Sequence, residues 1–249
     1  MTELSTNLSR FSLSGKTAVV TGASRGIGFA IADGLASAGA LVTGIARSAA
    51  PRTAFTHNVS YVSADVGGDI AHLFADIARL HGQIDILVNA AGITLPSHEG
   101  ALEAFERTLH INLTAPYACC LAARPFMRAG GSIINVTSIG SVLGMPGNPA
   151  YGAAKGGLRL LTKSLALDYG AAGIRVNALA PGYIETDMTA KSFADPAAHE
   201  RRRAHTCLGR WGKVEDLVGT AIFLASDASS YITGQDLFVD GGWTAKGLV

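Results

Sequence analysis

Apolar residues along this chain fall into short runs punctuated by glycine, proline and polar turn formers, with longer helical patterns between them. Short continuous apolar runs bounded by turn signals read as strands buried on both faces. The runs are Lys16-Thr17-Ala18-Val19-Val20, then residues 41–46, 59–62, 84–88, 132–136, 174–179 and 237–239. Helical patterns run up to Ala38, where Gly39 stops them, and over 69–81, 100–128 (interrupted by Pro116 and Pro125), 151–170 and 213–226. Residues 187–206 are polar and charged. Strands alternating with helices predict an α/β fold: a single-domain, Rossmann-type, doubly wound parallel sheet of seven strands with helices on both faces. No repeat, low-complexity stretch or linker divides the chain, so one domain over residues 1–249 is expected, with 1–10 as a flexible tail. The link between the second and third strands, residues 47–58, contains Pro51 and is at the lower limit for a parallel crossover. It predicts a degraded or absent helix and a more open floor beside whatever binds at those strand ends.

Composition supports this picture and narrows the partners. The chain is 48% hydrophobic and 16% charged, which suits a large core. A net charge of +1 gives no general electrostatic case for nucleic acid or membrane surfaces. Residues 1–15 lack the apolar core of a signal peptide, and no run approaches the roughly 18 apolar residues of a membrane span. Of the three cysteines, Cys119 and Cys120 are adjacent and Cys207 stands apart, which disfavours a disulfide framework and suits a reducing cytoplasm. No cluster with metal-ligand spacing is present, so no metal is expected.

The candidate chemistry lies where the predicted strands end, which is where such sheets bind ligands. After the first strand comes Thr21-Gly22-Ala23-Ser24-Arg25-Gly26-Ile27-Gly28, a glycine turn opening a helix. Gly22 allows a tight turn, and Gly26 and Gly28 allow close approach of backbone to a pyrophosphate and of helix to sheet. The helix N-terminus offers unpaired N–H groups to the phosphates. Further along, Tyr151 and Lys155 share one helix face, being four residues apart. An ammonium one turn from a phenol stabilises the phenolate and lowers a tyrosine pKa that is otherwise about 10. Ser138, just past the fifth run, can hold the oxygen of the same substrate. Where an acid normally ends the second strand to hold the ribose 2′-hydroxyl of NAD, this chain reads Ile45-Ala46-Arg47. With Arg25 in the glycine turn, two arginines and no carboxylate favour NADP(H) over NAD(H), because guanidinium binds phosphate through a fork of donors.

Together these residues resemble the short-chain dehydrogenase/reductase family over nearly the whole chain, from Phe11 to about Ala245. The matching motifs are TGASRGIG at 21–28, Asp65-Val66, NAAG at 89–92, Asn112 within HIN, Ser138, YGAAK at 151–155 and APGYIET at 180–186. The resemblance implies Tyr151 as general acid/base and Lys155 as its partner and a ribose ligand. Ser138 becomes the anchor of the reacting oxygen, and Asn112 a helix-bend residue whose carbonyl orders a water leading to Lys155. It also implies cofactor contacts from Gly22, Ser24, Arg25, Gly26, Ile27, Gly28, Arg47, Asp65, Val66, Asn89, Ala90, Gly92, Pro181, Gly182, Ile184 and Thr186. A homotetramer is expected, with small residues of 100–128 and 151–170 at one interface and the Gly242-Trp243 region at another.

The substrate is less legible. Framework segments such as GRWGKVEDLVGTAIFLASDASSYITG resemble the sugar-acid branch of the family, that of gluconate 5-dehydrogenases and 2-deoxy-gluconate 3-dehydrogenases. Reductases of 3-oxoacyl-acyl-carrier-protein share much of that framework. A non-catalytic dinucleotide sensor on the same fold is the alternative from another class. Substrate contacts are expected from 93–98, 139–148 and 183–210, with His98 and Asn148 as polar candidates beside Ser138 and Tyr151. Arg201-Arg202-Arg203 read either as a carboxylate clamp or, as charge runs usually do, as a solvated helix face. Trp211 and Trp243 are expected to be packing or interface anchors.

Overall fold

All seven apolar runs become strands of one sheet in the computed structural model, which describes residues 7–95 and 101–246. The strands are β1 (Thr17–Thr21), β2 (Leu41–Ala46), β3 (Val59–Ser63), β4 (Ile86–Asn89), β5 (Ser132–Val136), β6 (Arg175–Pro181) and β7 (Asp236–Val239). They lie in the order β3-β2-β1-β4-β5-β6-β7, and every neighbouring pair is parallel. The order reverses between β1 and β4, which places the ligand crevice at their carboxyl ends.

The apolar runs are continuous because both sheet faces are covered. Val19, Leu87, Ile133 and Val176 point into one layer with Phe74, Ile77, Cys119, Cys120 and Leu165. Their neighbours Ala18, Val20, Ile86, Val88 and Ile134 point into the other, with Ile31, Leu35, Leu217 and Leu224. The helices supplying these layers are α1 (Gly26–Ser37), α2 (Ala71–His81), α4 (Ala115–Ala123), α5 (Pro149–Gly170) and α8 (Glu215–Ala225), while α3 (Ala101–Leu109) packs beside α5.

Four expectations change in detail. The 100–128 stretch is not one bent helix: a π-helical turn, His110–Thr114, separates α3 from α4. Pro116 lacks the N–H that an α-ladder would direct to the Asn112 carbonyl, so the backbone widens just before it. The segment 187–206 contains two helices, α6 (Ala190–Ala194) and α7 (Pro196–His205). Asp195 accepts the N–H of Ala198 at 3.0 Å as the cap of α7, ahead of Pro196 in its first turn, an Asp-Pro start signal present in the sequence. The end of the proposed flexible tail is docked. Residues 7–9 are helical, Arg10 donates to the Asp227 carbonyl at 2.8 Å and to the Ser230 hydroxyl at 3.0 Å, and Phe11 lies 6.2 Å from the ring of Phe223.

The fourth concerns residues 47–58. The expected absence of a helix holds. The floor is not left open, however. Phe55 stacks on Phe29 of α1 with centroids 4.5 Å apart, and the Asp33 carboxylate accepts the backbone N–H groups of Thr56 and His57, each at 2.8 Å. A chain too short for a helix buries its one aromatic ring on α1 and ties its backbone to a helix side chain.

Candidate active site

The glycine turn does what its spacing demands. Gly22 has φ +72, and a Cβ there would meet the backbone of Ala91 at 2.8 Å. A Cβ on Gly28 would lie 2.4 Å from the Gly22 carbonyl oxygen, so the first turn of α1 touches the loop that precedes it. Arg25 caps α1 with extended backbone and no side-chain bond to the helix N–H groups. Those donors are left for phosphate oxygens. Thr21, which the motif reading did not single out, knits two strand ends together. Its hydroxyl accepts the N–H groups of Ala90 and Ala91 at 3.1 and 3.2 Å. Its only sequence signal is a polar residue ending an apolar strand.

The catalytic candidates converge. The Lys155 side chain, 5% exposed, donates to the Val136 carbonyl at 2.7 Å, and its Nζ lies 5.7 Å from the Tyr151 ring centroid. Ser138 follows two residues after Val136, and its hydroxyl accepts the Gly140 N–H at 3.0 Å. That hydroxyl also acts on the Tyr151 phenol, favouring the phenolate. A Cβ on Gly92 would lie 3.8 Å from Lys155 Nζ and 3.0 Å from Asn112 Oδ1, so the NAAG turn runs directly over the amine.

Charge regulation in the protein alone differs from the sequence expectation. Burial pushes the Tyr151 phenol above its usual range, and only the Ser138 hydroxyl opposes this. Burial lowers Lys155 to about 8. The ammonium donates to a carbonyl and lies over the ring face at 5.7 Å from its centroid, and desolvation is the larger effect at the tyrosine.

Asn112 is fully buried, and its side chain is consumed by one residue. Its amide donates to the Ile93 carbonyl at 2.7 Å, and its oxygen accepts the Ile93 N–H at 2.9 Å. Its side chain thus ties the π turn to the segment after β4. Asn148 is not a free substrate ligand. It caps α5, accepting the Tyr151 N–H at 3.3 Å, and its amide donates to the Thr94 hydroxyl. The expected hydroxyl contact is replaced by a structural one because an asparagine just before Pro149 satisfies the helix start. His98 lies outside the described residues.

Among the cofactor candidates, Asn89 turns its amide into the sheet, donating to Asn135 Oδ1 at 2.9 Å, so only its backbone faces the crevice end. Asp65 accepts the Gly67 N–H at 2.9 Å and forms a local turn, while Val66 is buried beside it. The Gly182 N–H donates to the Val239 carbonyl at 3.0 Å, carrying Pro181-Gly182 against the end of β7. Ile184 is buried, and the Thr186 methyl would lie 3.7 Å from a Cβ on Gly26. The segment after β6 therefore lies over the glycine turn. Arg47 is exposed and forms no ion pair among the described residues; its carbonyl accepts from the Ser63 hydroxyl at 3.2 Å.

The three consecutive arginines do not act as a clamp. Arg203 forms a fork with Glu200, Arg201 is exposed, and Arg202 lies 4.7 Å over the Tyr183 ring. Helical spacing sends adjacent side chains to different faces. Trp211 is buried against Tyr183, Phe193 and His199, and Trp243 packs on Tyr183 and His205. Both tryptophans serve packing within the chain.

Comparison with known proteins agrees with this geometry. The family model for enoyl-(acyl carrier protein) reductases matches residues 22–244. Gluconate 5-dehydrogenase of Gluconobacter oxydans is 42% identical over 95% of this chain and 97% of its own. A 3-oxoacyl-[acyl-carrier-protein] reductase of Chlamydia trachomatis is also 42% identical, over 91% of this chain and 96% of its own. The crystal structure of a gluconate 5-dehydrogenase from Burkholderia cenocepacia, in complex with NADP and tartrate, superposes with a TM-score of 0.90 at 36% identity, covering 96% of this chain and 99% of that one.

Proposed function

From the premise that this chain belongs to the short-chain dehydrogenase/reductase family, we propose that it oxidises a secondary alcohol, or reduces the matching ketone, of a sugar acid or polyol with NADP(H). The oxidoreductase class follows from the family. The observation that carries the chemistry is the buried Lys155 beside Tyr151 and Ser138, under the Gly92 turn. The nicotinamide, when bound, supplies or accepts the hydride. Tyr151 exchanges the proton at the substrate oxygen, and Ser138 holds that oxygen by hydrogen bonding. Lys155 places positive charge near the phenol and fixes α5 against β5 through Val136. With its pKa raised, Tyr151 keeps its proton at neutral pH and is set to protonate a carbonyl oxygen. Positioned proton transfer of this kind contributes roughly 10²–10⁴-fold.

The site accommodates a nicotinamide dinucleotide: the α1 N–H groups lack a side-chain cap, Gly22 and Gly28 leave no room for a Cβ, and Gly26 takes φ +59. Arg25 and the exposed Arg47, with no acid ending β2, support the phosphorylated form. The sugar-acid reading rests on the gluconate dehydrogenases among the relatives. A second reading, reduction of a 3-oxoacyl thioester, is favoured by exposed Val142, Leu143, Met188 and Leu208 on the segments expected to face substrate. A homotetramer suits the exposed apolar residues of α4 and α5. Among the described residues no helix is long and apolar enough to cross a membrane, and the free thiols support a cytoplasmic setting. Sugar acids, polyols and oxoacyl thioesters, each tested with both cofactors by nicotinamide absorbance, separate these readings. Turnover of sugar acids with NADP+ is the expected result; turnover of oxoacyl thioesters alone would replace it with the second reading.

A further inference from the structure

Arg52 belongs to none of the motifs that define the site, yet the structure brings it there. Its backbone N–H donates to the Ser24 carbonyl at 2.9 Å, so the 47–58 segment crosses the glycine turn at this residue. The stacking of Phe55 on Phe29 and the bonds to Asp33 hold the segment in that path. The Arg52 guanidinium pairs with Asp187 Oδ2, and the same oxygen lies 3.5 Å from Arg25 Nε. Asp187 follows Thr186, whose methyl covers Gly26. Two guanidiniums from two different loops thus share one carboxylate oxygen above the start of α1.

This arrangement is unbalanced. Two cations face one anion, and all three side chains are about half exposed or more, at 66%, 65% and 47%. Exposed ion pairs of this kind are weak. A phosphate offers a guanidinium more acceptor oxygens and a bidentate geometry, and is the stronger partner. We propose that Arg52 is a phosphate-binding residue for the dinucleotide, parked on Asp187 until a phosphate takes it over. Arg52 is then a third arginine of the cofactor site, and Asp187 the carboxylate that competes with phosphate for it. The proposal rests on the nicotinamide-dinucleotide reading given above, though not on which of the two cofactors is preferred.

The test is equilibrium binding of NADPH and NADH to the full chain, read by nicotinamide fluorescence, for wild type, Arg52→Gln, Asp187→Asn and the double variant. Arg52→Gln should weaken NADPH binding about tenfold, the loss of one charge-assisted contact. An equal loss for NADH assigns the contact to the diphosphate, and a loss confined to NADPH assigns it to the 2′-phosphate; both support a phosphate ligand. Unchanged binding of both dinucleotides overturns it. Asp187→Asn should tighten binding a few-fold by freeing Arg52, and that gain should disappear in the double variant. A gain of the same size without Arg52 would mean that Asp187 acts only as a nearby negative charge, and would overturn the parking. Unchanged melting of the dinucleotide-free variants excludes a folding defect. Wild type that binds neither dinucleotide would defeat the underlying reading, whereas normal wild-type binding with a silent Arg52→Gln defeats this proposal alone.

Discussion

At the residue scale, the site is a contest between burial and charge. Lys155 is an amine held almost out of water, with one carbonyl as partner. Its pKa falls from 10.5 to about 8, so below pH 8 it is charged in both folded and unfolded chains and the full cost of burial is present. Between pH 8 and 10.5 the unfolded chain binds the proton and the native chain does not, so stability rises with pH across that window. Lys155→Met should therefore melt a few degrees higher than wild type at pH 7, with the gap closing as pH rises from 8 towards 10.5. Thermal melts across pH test this, and a gap independent of pH would refute it. Asn148 shows how a residue expected to touch substrate can act through the backbone instead. Asn148→Ala removes the cap of α5 and should cost about 1 kcal/mol of stability. Turnover should fall with it, since Tyr151 lies in the first turn of that helix. Asn148→Asp keeps a capping oxygen and should recover the stability; a denaturant titration of both variants measures the difference.

At the element scale, strands and motifs were legible where local chemistry settled the answer. Each apolar run had to be a doubly covered strand, and the glycine turn had to follow the first one, because any Cβ at Gly22 or Gly28 collides with backbone. Gly22→Ala adds strain at φ +72 to that collision. It should abolish dinucleotide binding and cost several kcal/mol of stability, a loss readable by calorimetry; near-native melting would contradict the packing described. What escaped the sequence depended on tertiary partners. The π turn at 110–114 marks where Pro116 disturbs the ladder, but a proline alone does not distinguish a kink from a π turn. Helix α7 lay hidden in a charged segment because its contact face is built from Arg202 and His199 against aromatic rings. The docking of Arg10 and the folding of Phe55 onto α1 are long-range contacts with no periodic signal. Arg47 and Arg52 show the same limit: the sequence pointed to the first by its place after β2, while the loop path brings the second to the glycine turn.

At the scale of the whole molecule, the sheet places five strand ends and one long helix around a single crevice, and the faces turned away from it remain apolar. Tyr117 and Leu121 on α4, and Leu160 and Leu167 on α5, are 41%, 50%, 66% and 83% exposed. Each pair lies on one face of its helix, by i,i+4 and i,i+7 spacing. The small residues that suggested an interface are partly used inside the chain, since a Cβ on Gly157 would strike Leu113 at 2.9 Å. The exposed leucines are the better argument for association. Leu160→Glu with Leu167→Glu should convert the proposed tetramer to a smaller species in light scattering, and an unchanged mass would remove this face from the assembly. The central claim is narrower: one phenol moves the proton. Tyr151→Phe tests it most directly, in a paired measurement of NADPH binding and turnover. The account predicts dissociation constants within about twofold of wild type and turnover reduced by roughly 10²-fold or more. Turnover at the wild-type rate, with binding intact, would contradict it.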